Sequence, residues 1–358
     1  MSRRIEEAAS VDDINWEQET TLPRPLSLNS EASHGNSNGA NKKTILVTGA
    51  TGFLGRHILR LLLARDDVAI IHCLAVRDPQ KLPSPTPSSA KLIIHAGDLS
   101  LPHLGLSESN LATLAHSAHA ILHLGGARAF WDSYYVLRPS SVVPMAELVA
   151  MVAPRQVSIH YVSTAGVLPA HGQTARSAAD YPPPVDGSDG YVASRWASER
   201  LLERAGAQLG VPGTIYRFVA TSKSTQKQHR EEENVEEKSV TARKAVLDEF
   251  VRFVPVSGLV PYFSTWSGHI DLVPVVKVAG WLSERVVNPP VGGSGQKTCF
   301  EHCTGTVSVT ADQVQAHLKE NLSASEWELP RLPVLKWMGS LKVARLWMDC
   351  YFAGRKCC

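Results

Sequence analysis

Net charge is nearly absent from this sequence. Its 36 lysines and arginines stand against 34 aspartates and glutamates, a formal balance of +2. That leaves no field able to steer the chain toward nucleic acid or an anionic membrane. Cysteine is sparse too. Cys73, Cys299, Cys303, Cys350, Cys357 and Cys358 are too scattered for a disulfide framework in a chain of this length, and none forms a C-x-x-C zinc pattern. A reducing, cytoplasmic setting is the expectation, with no metal. No G-x-S-x-G elbow and no H-E-x-x-H helix occurs, which argues against a serine hydrolase and a metalloprotease. No internal repeat is present. The first residues are charged and polar, and the apolar stretch Val142 to Ala153 contains Pro144 and Glu147 and reads as too short to span a bilayer.

What the chain does have is a glycine turn in a telling place. Thr48-Gly49-Ala50-Thr51-Gly52-Phe53-Leu54-Gly55 lies between the strand-like run Thr44 to Val47 and a run in which Leu54, Ile58, Leu61 and Leu62 recur at helical spacing. Gly49 suits a tight turn, Gly52 a close backbone approach to a pyrophosphate, and Gly55 close helix packing on the strand. The start of that helix, Thr51 to Gly55, would face the phosphates with its positive dipole end.

Strand and helix signals alternate beyond it. Ala69 to Val76, Lys91 to His95, Ala118 to Leu124, Ser158 to Ser163 and Gly213 to Phe218 are β-rich, with helical segments near Ser107 to Ala115, Pro144 to Val152 and Tyr191 to Ala205. The pattern predicts an α/β fold with a doubly wound, Rossmann-type parallel sheet. A composition that is 44% apolar and 20% charged allows a large core. Three parts are expected: a flexible linker over 1–41, in which Ile14-Asn15-Trp16 could dock on the folded body; a dinucleotide-binding domain over 42–221; and a smaller substrate-binding part over 222–358, with strands able to return to the main sheet. Ser222 to Arg243 is dense in charge and reads as a solvated loop or a lid. Ile270 to Val275 and Cys299 to Val309 read as strands, Ala311 to Leu322 and Val334 to Tyr351 as helices. The terminal Cys357-Cys358 pair is either exposed thiols or a lipidation site.

Tyr191 and Arg195 stand four apart on one predicted helix, so they share a face. A phenol beside a fixed cation is a candidate proton donor. Thr164 would end a strand at the carboxyl edge of the sheet, where open α/β sheets bind ligands. Singly, each has a plain structural explanation: a helix-surface tyrosine, and a hydroxyl bonded to its own backbone. Behind a dinucleotide turn, the set favours catalysis. Arg77 follows the second strand, where a basic residue suits the 2′-phosphate of NADP, although neighbouring Asp78 could favour NAD. Asp98 could reach the adenine or cap a turn. His123 reads as a core histidine.

The segments TGATGFLGRHILRLLL, LAVR, GDLSLPHLGLS, YVSTAGV and GYVASRWASERLL resemble the extended short-chain dehydrogenases. Among these they resemble the thioester reductase domains that end fungal nonribosomal peptide synthetases and polyketide hybrids. The resemblance covers roughly residues 13 to 350. It implies NADPH as hydride donor, a phosphopantetheine-bound acyl or peptidyl thioester on a carrier protein as substrate, and an aldehyde or alcohol product. It also implies that Thr164 and Tyr191 bind and protonate the developing oxyanion, while Gly49, Gly52, Gly55 and Arg77 hold the cofactor. Two positions depart from the family pattern: its Tyr-x-x-x-Lys stands as Tyr191 to Arg195, and its relay asparagine as Ser141. Relatives with a broken relay can release product by Dieckmann cyclisation without net reduction, and a degenerate domain that binds nucleotide or a carrier protein without turnover is a further alternative.

Overall fold

The computed structural model describes residues 14–27, 42–82, 91–127, 132–168, 177–181, 190–218, 220–222, 235–263, 269–289, 297–303, 305 and 307–333. The polypeptide divides into two units, Met1–Arg217 with Ala279–His302, and Phe218–Val278 with Cys303–Cys358.

In the first unit, β1 (Lys43–Thr48) is buried from Thr44 onward, as a parallel strand covered on both faces must be. The chain turns into α2 (Phe53–Leu63), whose Phe53, Leu54, Ile58, Leu59 and Leu62 are buried at helical spacing. There follow β2 (Val68–Val76), β3 (Leu92–Ala96), α3 (Glu108–Ser117), β4 (Ala120–His123), α4 (Tyr134–Ser141), α5 (Val143–Val152), β5 (Ser158–Thr164), α6 (Gly190–Leu209) and β6 (Gly213–Phe218). Ahead of them all is the one-turn helix α1 (Trp16–Glu19). The seven-stranded sheet runs in the order β10-β6-β5-β4-β1-β2-β3, with β1 parallel to both β2 and β4. The strand order reverses between β1 and β4, which opens a ligand crevice at their carboxyl ends. Strand β10 (Thr298–Cys303) closes one edge: it comes from the C-terminal part of the sequence.

The second unit holds β7 (Ala220–Ser222), α7 (Val235–Ser257), β8 (Val260–Tyr262), β9 (His269–Pro274), β11 (Val307–Thr310), α9 (Ala311–Asn321), α10 (Ala324–Trp327) and β12 (Arg331–Pro333). Helix α8 (Val275–Val287) leads from the second unit back into the first. Val246, Phe250, Phe253, Val254, Val309, Val314 and Leu318 form the second unit's core.

Several expectations need correction. Within the expected linker, Ile14-Asn15-Trp16 docks as anticipated, but the packed segment runs on to residue 27: Ile14 is buried, and Trp16, Leu22 and Leu26 pack on the first unit's core. The charge-dense stretch becomes helical at Val235, while 223–234 lies outside the described residues. The strand expected over Cys299 to Val309 is two strands, β10 and β11, in different sheets. Tyr134–Arg155 forms a nearly continuous helical stretch of 22 residues, long and apolar enough by composition to cross a membrane, so shortness does not exclude a span. Burial of Tyr134, Met145, Leu148, Val149 and Val152 in the main core identifies it instead as a core helix. The helix expected over Val334 to Tyr351 and the Cys357-Cys358 tail lie outside the described residues.

Candidate active site

The glycine turn sits at the strand-order reversal. Gly49 has φ of +72°, and a Cβ there would lie 2.7 Å from the Gly125 nitrogen, so the turns after β1 and β4 touch backbone to backbone. A Cβ on Gly55 would strike the Gly49 carbonyl oxygen and reach 2.8 Å from the Ala50 Cα. The turn closes through Gly52 N–H donating to the Gly49 oxygen at 3.0 Å. Gly52 caps α2 without a side-chain hydrogen bond, so the cap residue gives the first helical N–H groups, from Phe53, Leu54 and Gly55, no side-chain acceptor. Thr51 lies in the same turn, half-buried. A crevice with close-packed glycines and an uncapped helix start fits a pyrophosphate.

Beside it, Gly125 N–H donates to Thr48 Oγ1 at 3.2 Å, and that oxygen is 2.6 Å from His123 Nδ1. The imidazole thus meets Thr48 through Nδ1, and its other nitrogen is Nε2. That Nε2 is buried and meets no partner among the described residues. Burial, with Arg195 second, pushes the His123 pKa down to about 3, so the ring is neutral. His123 is thus a core histidine supporting the crevice floor, stacked at 5.4 Å on Tyr161.

Arg195 is only 2% exposed. Its Nη1 donates to Tyr161 Oη at 3.1 Å and the Val162 oxygen at 3.3 Å, with the Gly125 oxygen at 3.5 Å, and its guanidinium carbon is 5.1 Å from the centre of the Tyr191 ring. Burial works against the charge, but the Tyr161 and Tyr191 oxygens outweigh it and hold Arg195 as a cation. Burial raises the Tyr161 phenol despite that cation. A Cβ on Gly126 would lie 3.0 Å from Arg195 Nη2 and 3.3 Å from Ser141 Oγ, so Ser141 and Arg195 converge on one glycine. Ser141 Oγ and Arg195 Nε are buried and have no partner among the described residues.

Thr164 ends β5, and its Oγ1 accepts the Gly166 N–H at 3.2 Å. A Cβ on Gly166 would lie 3.2 Å from Val192 Cγ2 and 3.6 Å from Thr164 Oγ1, so the start of α6 packs on the turn that follows Thr164. Arg77 is exposed, 3.6 Å from Asp98. A bulge at Ala75, φ +56°, shifts the β2–β3 register just before it and re-aims the strand end. Asp98 caps its turn, accepting from Ser100 N–H and Oγ at 2.9 and 2.8 Å, bonds that hold its carboxyl below the usual range together with Arg77.

Sequence reasoning passed over Glu199 and Arg217. They form a fully buried ion pair at 2.5 Å, and Ser163, next to Thr164, donates to Glu199 at 2.5 Å. Burial pushes the Glu199 carboxyl up, while Arg217 and Ser163 pull it down. The one available signal was Glu199 falling four positions beyond Arg195, on the same helix face.

A family model described as male sterility protein, of the NAD-binding type, matches residues 47–280, well over half of the chain. The chain belongs to this family. It is 43% identical over 353 residues to the hybrid PKS-NRPS synthetase thnA of Trichoderma harzianum, covering 96% of this chain and 8% of that protein. It is 40% identical over 353 residues to traA of Penicillium crustosum, covering 97% and 9%. The chain therefore spans less than a tenth of the length of these relatives. The crystal structure of the terminal R domain from the myxalamid PKS-NRPS pathway superposes with a TM-score of 0.63 at 26% identity, covering 92% of this chain and 82% of that one. The proteins that it resembles thus include hybrid PKS-NRPS synthetases and a terminal R domain, and the fold is the Rossmann type expected.

Proposed function

We propose that the chain is an NADPH-dependent thioester reductase unit that releases a carrier-bound acyl or peptidyl chain as an aldehyde or alcohol in secondary metabolism, in the cytoplasm. The observation that carries this reading is the Tyr191 ring lying 5.1 Å from the buried Arg195 cation, beside a crevice fitted to a dinucleotide. NADPH on the glycine turn would supply the hydride. The exposed Arg77 guanidinium would pair with the 2′-phosphate, with Asp98 orienting it. Thr164, held by Gly166 N–H, would donate its proton toward the thioester oxygen, and Tyr191 would protonate that oxygen as charge develops. The second unit would carry the acyl-binding surface. The names of the hybrid synthetase relatives support a carrier-bound substrate.

A redox-neutral, Dieckmann-type release is supported by one specific feature. Arg195 Nη1 is committed to Tyr161, Val162 and Gly125, and Ser141 stands where the family has asparagine. A thioester mimic incubated with and without NADPH separates the two readings. Reduction is expected to consume NADPH, to drop by about 10²–10⁴-fold in Tyr191→Phe, and to lose its preference for NADPH over NADH in Arg77→Ala. Cyclised product without cofactor oxidation would replace the reductase reading, and equal turnover in Tyr191→Phe would remove Tyr191 from the chemistry.

A further inference from the structure

Residues 14–27 lie across the helices that carry the candidate proton-handling groups. Trp16 stands edge-on to Tyr134 of α4, with 5.0 Å between ring centroids, and to Trp196 of α6 at 5.3 Å. The Glu19 carboxylate accepts from Tyr134 Oη at 2.6 Å and Arg138 Nε at 2.5 Å. Further along α6, Arg204 makes a two-point pair with Glu17 at 2.8 and 2.5 Å and also donates to the Thr20 oxygen at 3.2 Å. Leu26 N–H donates to the Ala150 oxygen of α5 at 2.8 Å.

These anchors are placed by helical phase. On α6, Trp196 and Arg204 are two turns apart and face the segment, whereas Tyr191, Arg195 and Glu199 form the adjoining stripe that faces the sheet. On α4, Tyr134 and Arg138 are one turn apart, and Ser141 follows at i+3 from Arg138. The two helices pack closely where they meet: a Cβ on Gly190 would lie 2.5 Å from Tyr134 N, and Ser198 Oγ donates to the Ser141 oxygen at 3.2 Å. Close-packed elements pass a displacement on rather than absorbing it.

We propose that residues 14–27 are a positioning strap of the site, with Trp16 and Glu19 as its positioning residues. They set the spacing of Ser141 on α4 from Tyr191 and Arg195 on α6, and so couple the chain entering at residue 14 to proton handling. This rests on the reading of Tyr191 as proton donor. Among the described residues, none of the strap's hydrogen bonds, ion pairs or ring contacts reaches the glycine turn, so its loss acts on turnover and spares cofactor binding.

The test uses the full chain with Trp16→Ala, Glu19→Gln and the conservative Trp16→Phe. Misplacement of about 1 Å in a reacting group can cost about 10²-fold, so kcat in Trp16→Ala is expected to fall by about 10- to 100-fold, with the NADPH Kd within about twofold of wild type. Glu19→Gln should fall less, and Trp16→Phe should restore most of the rate. Wild-type kcat in both Trp16→Ala and Glu19→Gln would overturn the strap, as would a rate loss matched by an equal loss of NADPH affinity. Should the wild type reduce nothing, the reductase reading fails, and the strap is then judged by hydrogen exchange. Exchange in Trp16→Ala should quicken over 134–141 and 190–198 while 44–48 keeps its protection; unchanged protection in both helices would overturn the strap.

Discussion

At the scale of single residues, the decisive fact is where Arg195 points. A cation four positions after a tyrosine reads in sequence as a helix-surface partner. Its burial instead makes it a structural donor as well, because Tyr161 Oη and the Val162 and Gly125 oxygens converge on Nη1. Arg195→Ala would strand those acceptors in a dry interior, so it is expected to destabilise the protein by about 1–3 kcal/mol per unsatisfied group in addition to slowing turnover. Arg195→Lys keeps the charge but replaces a planar fork with a single ammonium. It should retain turnover within about tenfold, at a cost of about 1–3 kcal/mol in stability. Paired denaturant titrations and turnover measurements decide this: a lysine variant as inactive as the alanine variant would show that the fork, not the charge, is what Tyr191 requires.

At the scale of elements, the βα turn and α2 carry the clearest prediction. Gly55→Ala pushes a methyl into the Gly49 carbonyl and the Ala50 Cα, both backbone atoms that cannot rotate away. The helix start must lift off the turn, and NADPH affinity should drop at least about tenfold, with an overpacking cost of about 1–3 kcal/mol. Gly280→Ala is the control, since a Cβ there meets nothing within 4 Å; cofactor titration should show no change in it. Unaltered affinity in Gly55→Ala would mean the turn does not hold the pyrophosphate. The elements around this turn were legible because parallel strands buried on both faces are written as apolar runs: β1, β2, β4, β5 and β6 all fall where those runs predict. Helix α4 was not legible, because Pro139 interrupts it and Tyr135 and Val136 face outward. The strap was legible only in part: docking of Ile14-Asn15-Trp16 was expected, but its charged contacts were not. Its charged anchors, Glu17 and Glu19, have partners, Arg204 and Arg138, more than a hundred positions away. Glu199 and Arg217 escaped because charged residues are expected at the surface. The candidate groups Thr164, Tyr191 and Arg195 could therefore be named from the sequence, but their arrangement could not.

At the scale of the whole molecule, buried histidines set a pH limit. His123 and His160 are held neutral by burial, with pKa values pushed down to about 3 and about 4, against about 6.5 in the unfolded chain. Between those values and pH 6.5 the unfolded state binds protons that the folded state refuses. Stability therefore rises with pH across that window and is lost on acidification, by up to about 1.4 kcal/mol per pH unit for each ring. Thermal unfolding scanned from pH 7 to pH 4 should show a falling Tm, with a shallower fall in His160→Phe; identical slopes would assign the acid loss to other groups. The returning strand β10 has a different consequence, one that concerns time. The sheet's last member is encoded after the second unit has begun, more than 75 residues beyond the end of β6. At roughly 5–20 residues per second of synthesis, a ribosome needs several seconds to deliver it, and throughout that interval β6 waits at the rim with an unsatisfied edge. Newborn chains should thus be most dependent on chaperones, and most exposed to mispairing, during that one stretch of translation.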